Sequence, residues 1–261
     1  MQEMERLASA RRWYAAAVEA LATDDWRKPS RCAGWNAANV VAHVATWDRY
    51  MRALVLDATA RDPSLLASVP GGLEERAKVA AEMATWEPAK LRPSALQESE
   101  ETHAALHEVM QHAADTKLRT PSGEVPVTRW VTVLTGEYII HGHDLEPASG
   151  RHEPVPDWFV DSMLPQFVAR VPLLHRHSPH KGKSASFHLH RTDGEGEWTL
   201  RAEGGEARCE PGHDRGDVAL RGPGEGLYWV LMGRGSPAEH GVAVHGDPAL
   251  ASAFKEWFPG P

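Results

Sequence analysis

Glu137 and His141 are the residues of this sequence whose types and spacing best suit chemistry. They stand four apart within residues 129–145, and a helix places residues at that spacing on one face. Trp130 and Leu134 share the face, so we expect the carboxylate and the imidazole to point into the protein. Burying ionisable groups is costly unless they pair, hydrogen-bond or bind a metal. The spacing therefore suits either a metal site or a plain hydrogen-bonded pair.

His43 is the expected third member of this group. It belongs to a segment in which Val40, Val44 and Trp47 recur at helical spacing, with Asn36 as the predicted N-cap. Helical bundles build metal sites from inward-facing Glu and His side chains on facing helices. Two imidazoles and one carboxylate suit Zn²⁺ or non-haem Fe²⁺ and leave a coordination position open. An open position favours catalysis over a structural role.

Asp144 continues the face of Glu137 and His141. Its carboxylate is expected either to accept a hydrogen bond that orients His141 or to cap the end of the helix. His143 lies about 200° around the helix from His141, so it is expected outside the metal's ligand set.

Several other candidates have plainer explanations. His103 and His107 are also four apart, but the acidic residues around them indicate a solvated helix face. The histidines of 175–190 suggest metal binding by count alone, although a loop leading into a strand explains them. Trp35 is expected in the core, as large aromatics usually are. Cys32 has no base beside it in the sequence and is expected to pack in a turn.

The apolar periodicity predicts a helical first half. The predicted helices cover about 2–22, 37–57, 72–86, 93–115 and 126–143. We therefore expect residues 1–150 to form a helical metal-binding domain.

The pattern changes near residue 150. A Pro-rich linker with a short helix is expected over 151–183, followed by a small α+β domain over 184–261. Short alternating segments predict a meander of four strands, with helices after it. The predicted strands cover 184–192, 197–203, 206–211 and 217–222, and the predicted helices 224–233 and 247–257.

Composition narrows the functional classes. The 261 residues suit two domains, and a net charge of −8 with no basic stripe argues against a nucleic-acid partner. No run approaches the roughly 18 apolar residues that a membrane span needs. Cys32 and Cys209 are far apart, which favours a reducing cytoplasm over a disulfide framework. Amphipathic helices suit a monomer and a homodimer equally.

Three stretches resemble the mycothiol-dependent maleylpyruvate isomerase family, a group within the DinB-like metalloenzymes. RCAGWNAANVVAHVATW resembles that family's Cys-Pro-Gly-Trp turn and metal-binding helix, with Ala33 in place of the proline. GEYIIHGHDLEPASGR resembles its Glu-x-x-x-His motif, although the arginine that often precedes the Glu is Leu134 or Thr135 here. LYWVLMGRGSPAEHGVAVHGDPAL, residues 227–250, resembles a sterol-carrier-like C-terminal domain.

The resemblance implies a two-domain α+β fold, with an up-down DinB-like bundle of about four helices and a small sterol-carrier-like domain. It also implies that His43, Glu137 and His141 bind Zn²⁺ or another divalent metal and act in catalysis, with mycothiol as the thiol cofactor. Arg234, in the MGRG turn, would bind an anionic cofactor or substrate group, or it is a plain surface arginine.

The implied activity is addition of the thiolate to an electrophilic small molecule, giving cis-trans isomerisation of a maleylpyruvate-like substrate. One alternative is a mycothiol S-transferase that releases a thioether conjugate. A second alternative is a non-catalytic protein that binds a small ligand. Retention of all three metal-ligand types at the matching positions favours an enzyme.

Overall fold

The computed structural model of the protein describes residues 2–120 and 123–260. It divides into two compact units, one ending at Pro154 and the other beginning at Val155. The first unit is mainly helical and the second combines a sheet with helices, which confirms the predicted α+β class. Among the described helices, none is long and apolar enough to cross a membrane.

Four long helices and three short ones build the described part of the first unit. The long helices are α1 (Gln2–Glu19), α2 (Ala37–Ala58), α5 (Pro88–His112) and α6 (Val127–Asp144), and the short ones are α3 (Pro63–Ser68), α4 (Leu73–Met83) and α7 (Glu146–Ser149). Helix α2 packs against α5, and α1 packs against α6. All five predicted helices are confirmed, and each of the four long ones buries apolar residues in the bundle.

The bundle core follows the helical periodicity. On α1 the buried residues Leu7, Ala10, Tyr14 and Val18 recur every three or four positions. Tyr14 stacks on Tyr138 of α6, with ring centroids 5.5 Å apart. This contact joins the first and last long helices of the unit.

One carboxyl group lies inside the core. Asp48 of α2 is fully buried and accepts a 2.6 Å hydrogen bond from the Tyr138 hydroxyl. The Thr102 hydroxyl of α5 donates to the Asp48 backbone carbonyl at 2.8 Å. Burial raises the pKa of Asp48 well above its ordinary value, more than the Tyr138 hydrogen bond lowers it. Polar contacts thus tie three helices together around Asp48.

A hairpin connects α5 to α6. Its strands β1 (Lys117–Thr120) and β2 (Gly123–Pro126) pair antiparallel. We did not predict this hairpin, because strands of four residues are too short to show a clear alternation.

The second unit contains a five-stranded sheet. Its strands are β3 (Ala185–Arg191), β4 (Glu197–Glu203), β5 (Glu206–Pro211), β6 (Val218–Gly222) and β7 (Ala243–Gly246), in the order β5-β4-β3-β6-β7. The predicted four-stranded meander is wrong, because β6 pairs with β3 in parallel. In the observed order, buried Val218 and Leu220 of β6 lie beside buried Phe187 and Leu189 of β3. In a meander, β6 would pair with β5, away from these two residues.

Four α-helices accompany the sheet in the described part of the second unit. They are α8 (Trp158–Leu174), α9 (Gly224–Met232), α10 (Pro248–Ser252) and α11 (Phe254–Trp257). Helix α8 lies in the stretch expected to be a linker, and it packs on β5 and α9 within the second unit. The single helix predicted over 247–257 is two short helices that divide at Ala253.

Candidate metal centre

Helix α2 presents His43 two turns after its start. The Asn36 side chain accepts a 3.0 Å hydrogen bond from the backbone N–H of Asn39, so the predicted N-cap is present. Val40 and Val44 are buried, whereas the His43 side chain keeps 27% of its surface exposed. The imidazole therefore lies at the border between core and solvent.

Helix α6 brings Glu137 and His141 to the same place. The Oε2 atom of Glu137 lies 3.2 Å from Nε2 of His141 and 3.8 Å from Nε2 of His43. The two imidazole rings are 4.9 Å apart at their centroids. Three ligand atoms from two helices thus converge within 4.8 Å of one another.

The donor set fits a divalent cation such as Zn²⁺. With bonds of about 2.0–2.1 Å in a tetrahedral shell, neighbouring ligand atoms stand roughly 3.3 Å apart. The Glu137–His141 separation of 3.2 Å already matches, and the Glu137–His43 separation of 3.8 Å requires only a small inward shift. Three protein ligands leave room for a fourth.

Asp144 fixes the orientation of His141. Its carboxylate is fully buried, and its Oδ2 atom accepts from His141 Nδ1 at 2.9 Å and from the Cys32 thiol at 3.0 Å. The backbone N–H of Arg31 also donates to the Asp144 carbonyl at 3.1 Å. With Nδ1 directed to Asp144, the other ring nitrogen of His141 faces Glu137.

Electrostatics prepares the three ligands differently. Burial outweighs the attraction of Glu137 and lowers the pKa of His43, which favours its neutral, ligating form. Burial opposes ionisation of Glu137, but interactions with His141 and His43 outweigh it and lower the Glu137 pKa. Burial would also lower the pKa of His141, yet Asp144, Cys32 and Glu137 together raise it well above its ordinary value. The two neighbouring carboxylates thus favour the protonated form of His141, and a metal would have to displace that proton.

Trp35 borders the cluster instead of joining the core. Its ring lies 5.1 Å from the His43 ring, and 37% of its surface is exposed. The expectation of a core tryptophan is therefore wrong, because Trp35 belongs to the turn before α2 and not to the buried face of the helix. An exposed aromatic ring beside His43 is placed to contact a small molecule.

Other sequence candidates lie away from this cluster. His143 is buried and pairs with Glu146 at 3.1 Å. His103 and His107 stack on each other on α5, with centroids 6.1 Å apart, and they join none of the potential metal clusters of the described residues. Arg234 belongs to the second unit, where its half-buried guanidinium donates to the Met232 carbonyl at 3.1 Å.

Sequence reasoning missed the partner of Cys32. No base stands beside the thiol along the chain, but folding brings the Asp144 carboxylate to it from a position 112 residues away. The signal was the Cys-x-Gly-Trp turn of the family resemblance, which places Cys32 in the turn before helix α2.

Models of one protein family match both units of the chain. The family model described as the mycothiol maleylpyruvate isomerase N-terminal domain matches residues 7–146. The model described as the MDMPI C-terminal domain matches residues 155–253.

Solved structures and curated sequences add two results. Crystal structures of the mycothiol-dependent maleylpyruvate isomerase and of a histidine-to-alanine mutant each have a TM-score of 0.67 with this chain, at 19% identity. Each comparison covers 90% of this chain and 89% of the other, and at that identity the likeness shows a shared fold. No curated protein sequence matches this chain.

Proposed function

We propose a function from one premise: this chain belongs to the mycothiol-dependent maleylpyruvate isomerase family, to which models of both halves assign it. The premise makes the chain an enzyme and implies a low-molecular-weight thiol as its cofactor. The proposal adds that the enzyme requires a divalent metal, that the thiol is mycothiol, and that the substrate is a maleylpyruvate-like 2-oxo diacid.

The observation that carries the proposal is the convergence of His43, Glu137 and His141 on one point. We propose that these three side chains hold Zn²⁺ or another divalent metal. When bound there, such a cation lowers the pKa of a coordinated thiol, which otherwise lies near 8.5, so that the thiolate forms at neutral pH. Asp144 orients His141 and contributes negative charge near it, which favours cation binding.

The proposed reaction consumes no thiol overall. The thiolate sulfur bonds to one carbon of the cis double bond, and the π electrons of that bond move onto the oxygen of the carbonyl group that is conjugated with it. The remaining single bond rotates. Elimination then breaks the carbon–sulfur bond, restores the double bond in the trans form and returns the thiolate.

We retain two further residues as proposals. Trp35, exposed beside His43, would supply an apolar contact for the substrate or the thiol. Arg234 would bind a carboxylate of the substrate or cofactor, and its support is the family resemblance of the MGRG turn. A cytoplasmic location is also a proposal, which rests on the sequence having only two cysteines that lie far apart.

Turnover of maleylpyruvate by the zinc-loaded full chain, with and without mycothiol, tests the proposal. We expect thiol-dependent isomerisation in the wild type and loss of at least 100-fold in Glu137→Gln. His103→Ala is the matched control, because it removes a helical histidine from the same unit without touching the cluster. Wild-type activity in Glu137→Gln would contradict the metal role.

The thiol balance separates the isomerase from the S-transferase. An isomerase leaves the free mycothiol concentration unchanged over many turnovers, whereas a transferase consumes one thiol for each product. Free thiol measured against product by mass spectrometry gives the answer. If neither product forms with the metal bound, the proposed substrate and both proposed reactions are wrong, and binding of a small ligand without turnover of maleylpyruvate is the remaining alternative.

A further inference from the structure

A second group of metal-ligand side chains lies on the sheet of the second unit. His188 and His190 are two apart on β3, so they share the face opposite to buried Phe187 and Leu189. Glu197 stands directly across from His190 on the neighbouring strand β4. The fourth member, His213, comes from the loop between β5 and β6.

Three imidazoles converge on a single carboxylate oxygen. The Oε1 atom of Glu197 lies 3.0 Å from Nε2 of His188, 2.9 Å from Nδ1 of His190 and 2.7 Å from Nδ1 of His213. All four ligand atoms lie within 4.8 Å of one another. One oxygen offers two lone pairs to three ring nitrogens, so hydrogen bonding to Glu197 alone serves this arrangement poorly.

The three distances from Glu197 to the imidazole nitrogens are close to those between neighbouring ligands in a tetrahedral metal site. Ligand atoms around Zn²⁺ stand roughly 3.3 Å apart when the bonds are about 2.0–2.1 Å. The distances from Glu197 are 2.7–3.0 Å, so a slight outward movement of the carboxylate makes room for a cation among the four donors.

The surroundings allow entry and favour a cation. His188 is buried, whereas the side chain of His213 is 77% exposed, and a surface depression reaches both of them with Asp217 and His245 on its wall. The same wall carries Asp214, Asp217 and Asp247 against the single cation Arg215, so its charge favours a bound cation.

We propose that His188, His190, Glu197 and His213 form a second divalent-metal site, separate from the candidate centre of the first unit. Three imidazoles and one carboxylate suit Zn²⁺, and Cu²⁺ would bind such a set more tightly. Four protein ligands fill a tetrahedral shell, which is typical of structural metals. The ion would fasten the loop between β5 and β6 to strands β3 and β4.

The test is a Zn²⁺ titration of the full chain by equilibrium dialysis. His43→Ala disables the first centre, and we expect that variant still to bind one equivalent of Zn²⁺ through the second site. Adding His190→Ala and His213→Ala should abolish this equivalent, whereas adding His245→Ala should leave it intact. His245 is the matched control, because it borders the depression without belonging to the cluster.

Three further measurements test whether the variants are folded and which side chains bind the zinc. His213 is mostly exposed, so His213→Ala should keep the circular dichroism spectrum of the wild type. X-ray absorption of the zinc bound to His43→Ala should show nitrogen and oxygen ligands with three imidazoles. Zinc should raise the Tm of His43→Ala. It should leave the Tm unchanged in the chain that combines His43→Ala with His190→Ala and His213→Ala.

The outcomes are independent of the first centre. Equal zinc stoichiometry and affinity with and without His190 and His213 would overturn the second site, whatever His43→Ala does. Loss of all zinc in His43→Ala would overturn it as well. If the wild type binds a single zinc that is lost in His213→Ala but kept in His43→Ala, the second site stands and the metal role of the first centre fails.

Discussion

Replacing Asp144 by asparagine tests whether this carboxylate prepares His141 for the proposed metal. The Asp144 carboxylate is fully buried and accepts from His141 Nδ1 at 2.9 Å. Asparagine keeps the size and one acceptor oxygen but removes the negative charge. A hydrogen bond involving a charged group contributes about 1.5–3 kcal/mol, against about 0.5–1.5 for a neutral one.

The expected loss is therefore about 1–2 kcal/mol, which weakens Zn²⁺ binding at the first centre by roughly 5- to 30-fold. This range overlaps the effect usual for groups that orient metal-binding histidines. The affinity is measured by competition with a chromophoric chelator over a pH series and compared at the pH-independent limit, because removing the Asp144 charge also weakens the competition between zinc and the His141 proton. The chain used carries His190→Ala and His213→Ala, so that only the first centre is observed.

Asp48→Asn is the matched control for this experiment. Asp48 is also fully buried in the first unit, but it bonds to Tyr138 and not to a proposed ligand. We expect its zinc affinity to equal that of the parent chain. If Asp144→Asn also binds zinc as tightly as the parent, Asp144 does not prepare His141 and the reasoning is wrong.

Three further predictions concern stability and pH. Burial raises the pKa of Asp48 in the folded protein. The free energy of unfolding of the wild type should therefore fall as the pH rises from the unfolded-state pKa of Asp48 to its folded-state pKa, by up to about 1.4 kcal/mol per pH unit. Urea unfolding across this range should show the slope reduced in Asp48→Asn, and an equal slope would refute it. A Cβ at position 142 overlaps the Trp13 ring, so Gly142→Ala should lower the free energy of unfolding by about 1–3 kcal/mol; an unchanged Tm would contradict this packing. His141 has a raised pKa, so zinc affinity should rise about tenfold per pH unit below that pKa as the proton is displaced, and calorimetry in buffers of different ionisation enthalpy should detect the released proton.

The helical half of the fold was predictable because its signal is local. Each long helix carries a buried stripe at helical spacing, and Asn36 marks the start of α2 as an N-cap. Glu137 and His141 had to come together because they share one helix face. His43 is on a different helix, so no spacing rule joins it to them; the bundle pattern and the family resemblance supplied that step.

The sheet order and the second cluster were not predictable in the same way. Alternation located β3 and β6, but nothing local indicates that they pair in parallel. His213 follows β4 and β5 in the chain, and the loop after β5 brings it back to Glu197. A count of histidines therefore drew attention to 175–190 without revealing which of them meet a carboxylate.

The exposure of Trp35 was also beyond the sequence pattern. The residue precedes α2 by two positions, and the turn around it carries Gly34 at a φ of +78°, a conformation that favours glycine. That turn directs the chain into the helix and leaves the Trp35 ring beside His43. Burial statistics for tryptophan do not describe a residue placed by such a turn.

Zinc content is the most direct test of the proposed metal centre. The parent is the full chain with His190→Ala and His213→Ala, and it is compared with the same chain carrying His43→Ala and His141→Ala. Elemental analysis after reconstitution should find one zinc per parent chain and none in the comparison chain, and mycothiol should perturb the X-ray absorption edge of the parent. No zinc in either chain, or equal zinc in both, would contradict the assignment of this centre.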